Sequence, residues 1–160
     1  MSGKMPLFLL ILTLHLKLFY LDRIMAIDYG VKRTGIAVTD PMKIIASGLQ
    51  TVATHQIFDF LKDYFQKENV SEIVVGYPRK LNNQPSESVK YINPFIKKLE
   101  RIYPGKKIVL VDERFTSKIA FQSMIEAGLK KKQRQKKELI DQISAALILQ
   151  GYLESRKFKD

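Results

Sequence analysis

Cysteine is absent from the 160 residues, and histidine occurs only twice, as His15 and His55. The first absence excludes a disulfide framework and cysteine-ligated zinc, and it fits a reducing compartment. The two histidines lie in an apolar N-terminal segment and near a helix start, and both read as structural or incidental. No serine or cysteine has the partners a nucleophile needs, and there is no internal repeat. Acid is scarce beside base: 16 Asp and Glu against 27 Lys and Arg leave a net charge of +11. An excess of that size points to a polyanionic partner, most simply nucleic acid. A sustained membrane span is also lacking. From Leu7 to Leu21, 12 of 15 residues are apolar, interrupted by Thr13, His15 and Lys17, whereas a span needs about 20.

That apolar run resembles the centre of a signal peptide, yet no small-x-small cleavage site follows it, and cleavage near Ala26 would cut into the first strand. Residues 1–22 therefore read as an extension ahead of the domain, most simply non-native sequence before the true start, with an added helix and an anchor as the other readings. Residues 23–155 form one domain of ordinary size, and 156–160 a tail. The expected setting is cytoplasmic, without stable membrane association.

After Asp22 the pattern is orderly. Arg23–Asp28 reads as a strand, and Gly30 and Gly35 bracket a turn containing Lys32-Arg33-Thr34. Ile36–Thr39 returns as the second arm of a hairpin, and Gly48–Val52 supplies a third strand. Thr54 is placed to cap a helix whose Ile57, Phe58, Leu61, Tyr64 and Phe65 keep helical spacing. Glu72–Gly76 is a short buried strand, followed by a polar loop through Pro85. A helix over Ser86–Tyr103, kinked at Pro94, precedes a strand at Lys107–Asp112. Thr116 starts a helix that stops at Gly128, Lys130–Lys137 is a basic loop, and Glu138–Ser155 is the last helix. A hairpin followed by strand–helix alternation implies an α/β fold, a mixed sheet with helices against it.

Carboxylates stand at three joints of this pattern. Asp28 ends the apolar run Ile24–Ile27. Asp112 and Glu113 end Ile108–Val111; alternation sends their side chains to opposite faces, so one of the two joins a shared site, with Asp112 the first choice and Glu113 the second. Asp141 interrupts a helix that is apolar nearly all round, where an acid needs a partner and a metal would serve. Hard oxygen ligands of this kind suit Mg²⁺ or Mn²⁺, and two such ions about 4 Å apart can drive an in-line phosphodiester displacement. Each acid also has a plainer role: Asp28 as a turn former before Gly30, Asp141 as a complement to a helix dipole.

Basic residues would grip the substrate. Lys130, Lys131, Lys132, Arg134, Lys136 and Lys137 stand immediately before the helix carrying Asp141, and Lys32 and Arg33 lie in the first turn. Arg114 can hold a phosphate or orient an acid. Tyr77 packs in the core or stacks on a base; Gly76 and Pro78 shape a loop.

The order Ile27-Asp28-Tyr29-Gly30, Lys32-Arg33-Thr34-Gly35, Val75-Gly76-Tyr77-Pro78, Asp112-Glu113-Arg114-Phe115-Thr116-Ser117 and Asp141-Gln142-Ile143-Ser144-Ala145-Ala146 resembles the YqgF family, RuvC-like Holliday junction resolvases also described as pre-16S rRNA nucleases. The resemblance covers Arg23 to Tyr152. It implies a ribonuclease-H-like fold, a mixed five-stranded sheet flanked by helices. It also implies a metal-dependent nuclease of the bacterial cytoplasm linked to 5′-end maturation of the 16S rRNA precursor. The alternatives are a resolvase of branched DNA, for which a homodimer would suit a two-fold junction better than a monomer, and a catalytically inert RNA-binding or ribosome-assembly factor. A sugar-kinase-like ATPase shares the early Asp-x-Gly hairpin but needs a second domain that 160 residues do not supply.

Overall fold

A computed structural model describes residues 6–78, 87–112 and 116–157; the side chains of residues 14–20, 116–118, 120, 121 and 134 fall outside the description. Five strands form one sheet in the order β3-β2-β1-β4-β5: β1 Arg23–Tyr29, β2 Arg33–Thr39, β3 Ala46–Ala53, β4 Val70–Tyr77 and β5 Lys107–Asp112. The first three make an antiparallel meander, and β4 and β5 run parallel to β1 and to each other. Among the described residues six α-helices accompany them: α1 Leu7–Tyr20, α2 Ile57–Lys67, α3 Val89–Ile102, α4 Thr116–Glu126, α5 Lys131–Arg134 and α6 Lys137–Lys157.

Period-2 alternation divides the core between the two faces of the sheet. Met25, Ile27, Ile36, Val38, Ile73 and Val75 face α2 and α3, where Leu61, Ile92, Phe95 and Leu99 complete one cluster. Ile24, Ala26, Ala37 and Val74 face α6, against Ala145, Ile148, Leu149 and Tyr152. β1 is buried on both faces because it is the central strand, which explains its unbroken apolar run.

Several boundaries differ from those the sequence indicates. The hairpin arms extend over Arg23–Tyr29 and Arg33–Thr39, because Thr34 pairs with Tyr29 and continues the ladder through the expected turn. Thr54 does not cap α2. It opens a single 3-10 turn, Thr54–Gln56, and its hydroxyl donates to the Gly30 carbonyl at 2.7 Å, while its amide donates to Lys32 O at 3.1 Å. A residue pinning the β1–β2 turn is thereby unavailable as a helix cap. The basic stretch is not all loop, since Lys131–Arg134 forms one helical turn. Ser86 and the polar segment 79–86 lie outside the described residues, and the helix begins at Val89.

The apolar N-terminal run forms the helix α1, in which Leu7 and Phe8 are 71% and 75% exposed. Among the described residues no helix is long and apolar enough to cross a membrane.

Candidate functional site

Asp28 sits near the C-terminal end of β1 and is directly paired with Gly35 of β2. Residues opposite one another in an antiparallel ladder share a face, about 4.5–5.5 Å apart. Asp28 has the parity of Ile24 and Ala26, so its face is the one covered by α6. On that face Gly35 has no side chain for a reason: a Cβ there would lie 2.1 Å from the Asp141 carbonyl oxygen and 3.1 Å from the Asp141 Cβ. The next helical residue repeats the arrangement, with the Gln142 Cβ 3.1 Å from where a Cβ on Gly48 would stand. Two glycines on neighbouring strands thus let the first turns of α6 lie against bare backbone. Thr51 Oγ1, donating to the Glu138 carbonyl at 2.7 Å, fixes the helix in that place. Asp28 and Asp141, 113 positions apart in the chain, are both neighbours of Gly35.

Asp141 is gripped by Arg33, whose Nε donates to Asp141 Oδ2 at 2.8 Å. The partner expected to be a metal is therefore, at least in part, a guanidinium. The hydrogen bond and the negative charge of Asp141 hold Arg33 above its usual pKa. The Asp141 side chain remains 22% exposed, because α6 meets the sheet here through glycines rather than through an apolar seal.

The third joint is arranged differently. Asp112 pairs with Tyr77 and is exposed. Val109 and Val111 belong to the α6 side and Ile108 to the other, so Asp112 carries the parity of the face opposite Asp28 and Asp141. Glu113 and Arg114 lie outside the described residues. Asp28 and Asp141 stand over the centre of the sheet, since β1 is its middle strand. Lys32 is exposed in the β1–β2 turn, as are Lys130, Lys131, Lys132 and Lys136 ahead of α6 and Lys137 at its first position; the Arg134 side chain falls outside the description. Tyr77 packs against the α3-side core and its hydroxyl is 3.1 Å from Asn93 Oδ1, so core packing is its role. Sequence reading missed Gly35 and Gly48 as seats for α6, and the available signal was small residues on adjacent strands opposite an Asp-Gln pair.

Among the described residues no group of three or more acids and histidines stands close enough to hold a metal ion. The carboxylate oxygens of Asp28 and Asp141 are of the hard kind that suits a divalent cation, and they would supply two of its protein ligands.

The sheet order, the mixed pairing and the helical layers define a ribonuclease-H-like α/β protein. The structure of T. thermophilus RuvC in complex with a Holliday junction substrate superimposes with a TM-score of 0.51 over 85% of this chain and 96% of that one, at 16% identity, a likeness of fold. The family described as RuvX: Holliday junction resolvase matches residues 22–155, and the chain belongs to that family. Relatives from Flavobacterium johnsoniae and Phocaeicola vulgatus, each named "Putative pre-16S rRNA nuclease", are 59% and 55% identical over 138 residues. The alignments span 86% of this chain and 100% and 99% of those proteins. The helix α1 lies outside the family match.

Proposed function

We propose that this protein is a metal-dependent nuclease that cleaves phosphodiester bonds during 5′-end processing of pre-16S rRNA. The observation that supports this reading most directly is that Asp28 and Asp141 are both neighbours of Gly35 on one face of the sheet. Buried sheet faces do not gather two carboxylates without a positive partner, and this patch is partly open to solvent. Asp28 and Asp141 would hold Mg²⁺ or Mn²⁺. The third ligand comes from Asp112 or Glu113; Asp112 carries the parity of the sheet face opposite Asp28, and Glu113 lies outside the described residues. Bound there, the ions would activate water and stabilise the leaving oxygen. Arg33 orients Asp141 and offers its remaining N–H groups to the scissile phosphate. Lys32, Arg114 and the basic residues at positions 130–132, 134, 136 and 137 supply further phosphate contacts.

The family description and the names of the relatives support nucleic acid as substrate, with precursor rRNA preferred and branched DNA the second reading. Cytoplasmic location follows from that substrate. The working unit is residues 23–155, as monomer or homodimer, with residues 1–22 outside it. The deciding experiment is cleavage of a pre-16S 5′ leader and a four-way DNA junction side by side in Mg²⁺, Mn²⁺ or chelator, with Asp28→Asn as control. The leader should be cut in metal and spared in chelator. Asp28→Asn should keep its melting temperature and lose cleavage, because a neutral amide is a poor ligand for a hard dication. Wild-type cleavage by Asp28→Asn would defeat the nuclease reading and favour the inert RNA-binding factor.

A further inference from the structure

Across the sheet from Asp141, beside the same end of β1, lies an aromatic cleft. Tyr29 follows Asp28 directly and takes the opposite face, where its ring stacks on Phe95 with centroids 4.4 Å apart. With His55, Phe58, Tyr91 and Lys98 it lines a cavity of about 260 Å³. That is smaller than the roughly 300–1,000 Å³ of sites for whole drug-sized ligands, and suits one flat ring. His55 is exposed, and Tyr91 is 46% exposed. The Lys98 ammonium stands over the Phe58 ring at 4.2 Å from its centroid. The cleft runs on, through Pro94 and Lys98, into a shallow groove of about 350 Å³ bordered by Lys97 and Arg101. Lys90, Lys97 and Arg101, spaced seven and four apart on α3, fall on one side of the helix. Among the described residues no carboxylate forms an ion pair with Lys97, Lys98 or Arg101.

An aromatic slot opening into a row of cations that form no ion pair among the described residues matches the chemistry of a nucleotide: a π-face for stacking, then phosphates. We propose that this cleft binds an unstacked nucleobase of a single-stranded polynucleotide next to the scissile bond, with Lys98, Lys97 and Arg101 following its phosphates along α3. The inference rests on the nuclease reading for its placement of the scissile phosphate beside Asp28. The strand would pass over the Gly30–Lys32 turn. That ridge is made firm by Thr54, whose hydroxyl also lies 3.0 Å from the Thr34 hydroxyl. The cleft therefore grips the part of the substrate that the Lys130–Lys137 stretch, on the α6 side, does not reach. A duplex cannot deliver a stacked base into such a slot, so the cleft favours single-stranded flanks.

The test is equilibrium binding of a short labelled single-stranded RNA, its duplex form and an abasic version, without divalent metal so that cleavage plays no part. Tyr91→Ala should weaken single-strand binding by about five-fold or more, the scale of removing one base stack. It should leave duplex and abasic binding unchanged. The pair Lys97→Gln, Arg101→Gln should weaken all three ligands and lower the single-strand salt slope by about 0.7 for each phosphate no longer neutralised. UMP added to the intact protein should shift the ring resonances of His55 and Tyr91 in NMR spectra, and inorganic phosphate alone should not. Tyr91→Ala and Lys98→Gln binding single-stranded RNA as tightly as the unaltered chain, with unmoved ring resonances, would overturn the proposal. Because these readouts need no cleavage, loss of the nuclease reading with the cleft intact gives a different pattern: binding that depends on Tyr91 in a chain that cuts nothing.

Discussion

Two carboxylates lie between α6 and the sheet, one at each end of the helix, and their surroundings differ. Glu72, at the start of β4, is 8% exposed. It accepts from the Tyr152 hydroxyl at 2.6 Å, from Arg156 Nη1 at 3.0 Å and from Lys107 Nζ at 3.4 Å. Burial works against its charge, but the Tyr152 hydrogen bond and the cations Arg156 and Lys107 outweigh it and hold its carboxyl below the usual 4.5. Asp141 has Arg33 as its donor and keeps a more exposed side chain over a glycine. A carboxylate whose two oxygens accept from three donors ties the helix down. One with a single donor and an open side retains capacity for a ligand. The C-terminal half of α6 is thus a strut, and the N-terminal half keeps a carboxylate partly open to solvent.

The sharpest way to break this contrast is Gly35→Ala. The added methyl would meet helix backbone at 2.1 Å, which no side-chain rotation relieves. Overpacking of this kind costs about 1–3 kcal/mol or more. Thermal melting should fall, and cleavage should fall further than stability alone explains, because Asp141 is displaced from Asp28. Ordinary stability with full activity would show that α6 is not seated on Gly35.

Glu72→Gln should affect stability alone. It removes the charge that Arg156 and Lys107 face and leaves Tyr152 a weaker acceptor, at a cost of about 1–3 kcal/mol. The pH dependence has a definite sign. A carboxyl whose folded pKa is depressed stabilises the fold above its unfolded value and loses that contribution as pH falls through the folded one. Denaturant titrations should show the unaltered chain losing stability below about pH 4.5, with a shallower loss in Glu72→Gln. Equal acid slopes would remove Glu72 as the source.

The cations ahead of α6, of which Lys131, Lys132 and Lys136 are exposed, belong to the open end. Changing Lys131, Lys132, Arg134 and Lys136 together to Gln should leave melting nearly unchanged and weaken nucleic-acid binding across sequences. The salt slope should flatten, for each phosphate released from its cation, by about 0.7 on single strands and about 0.9 on duplex. An unchanged slope would make the stretch a solvated tether.

The smallest effect is expected at Ser144, which is 1% exposed and whose hydroxyl has no hydrogen-bond partner among the described residues. Ser144→Ala keeps the small volume beside the sheet and removes an unsatisfied polar atom, so denaturant midpoints should stay within about 0.5 kcal/mol or rise slightly. A clear loss would reveal a partner for the hydroxyl.

Sequence patterning by itself determined the five strands, the major helices and the candidate acids, because alternation, helical spacing and chain punctuation are local properties. Asp28 and Asp141 could be named from their interruption of apolar runs for the same reason. Strand order placed them at the centre of the sheet, and only pairing could decide that. Parity along β5 set Asp112 on the far face, which required knowing which cluster Val109 and Val111 join. The seat of α6 on Gly35 and Gly48, the Arg33–Asp141 pair, the Glu72 strut and the aromatic cleft beside Tyr29 all join residues distant in the chain. A glycine's emptiness or a carboxylate's partner is a fact about what another segment places against it, and that is settled only when the chain has folded.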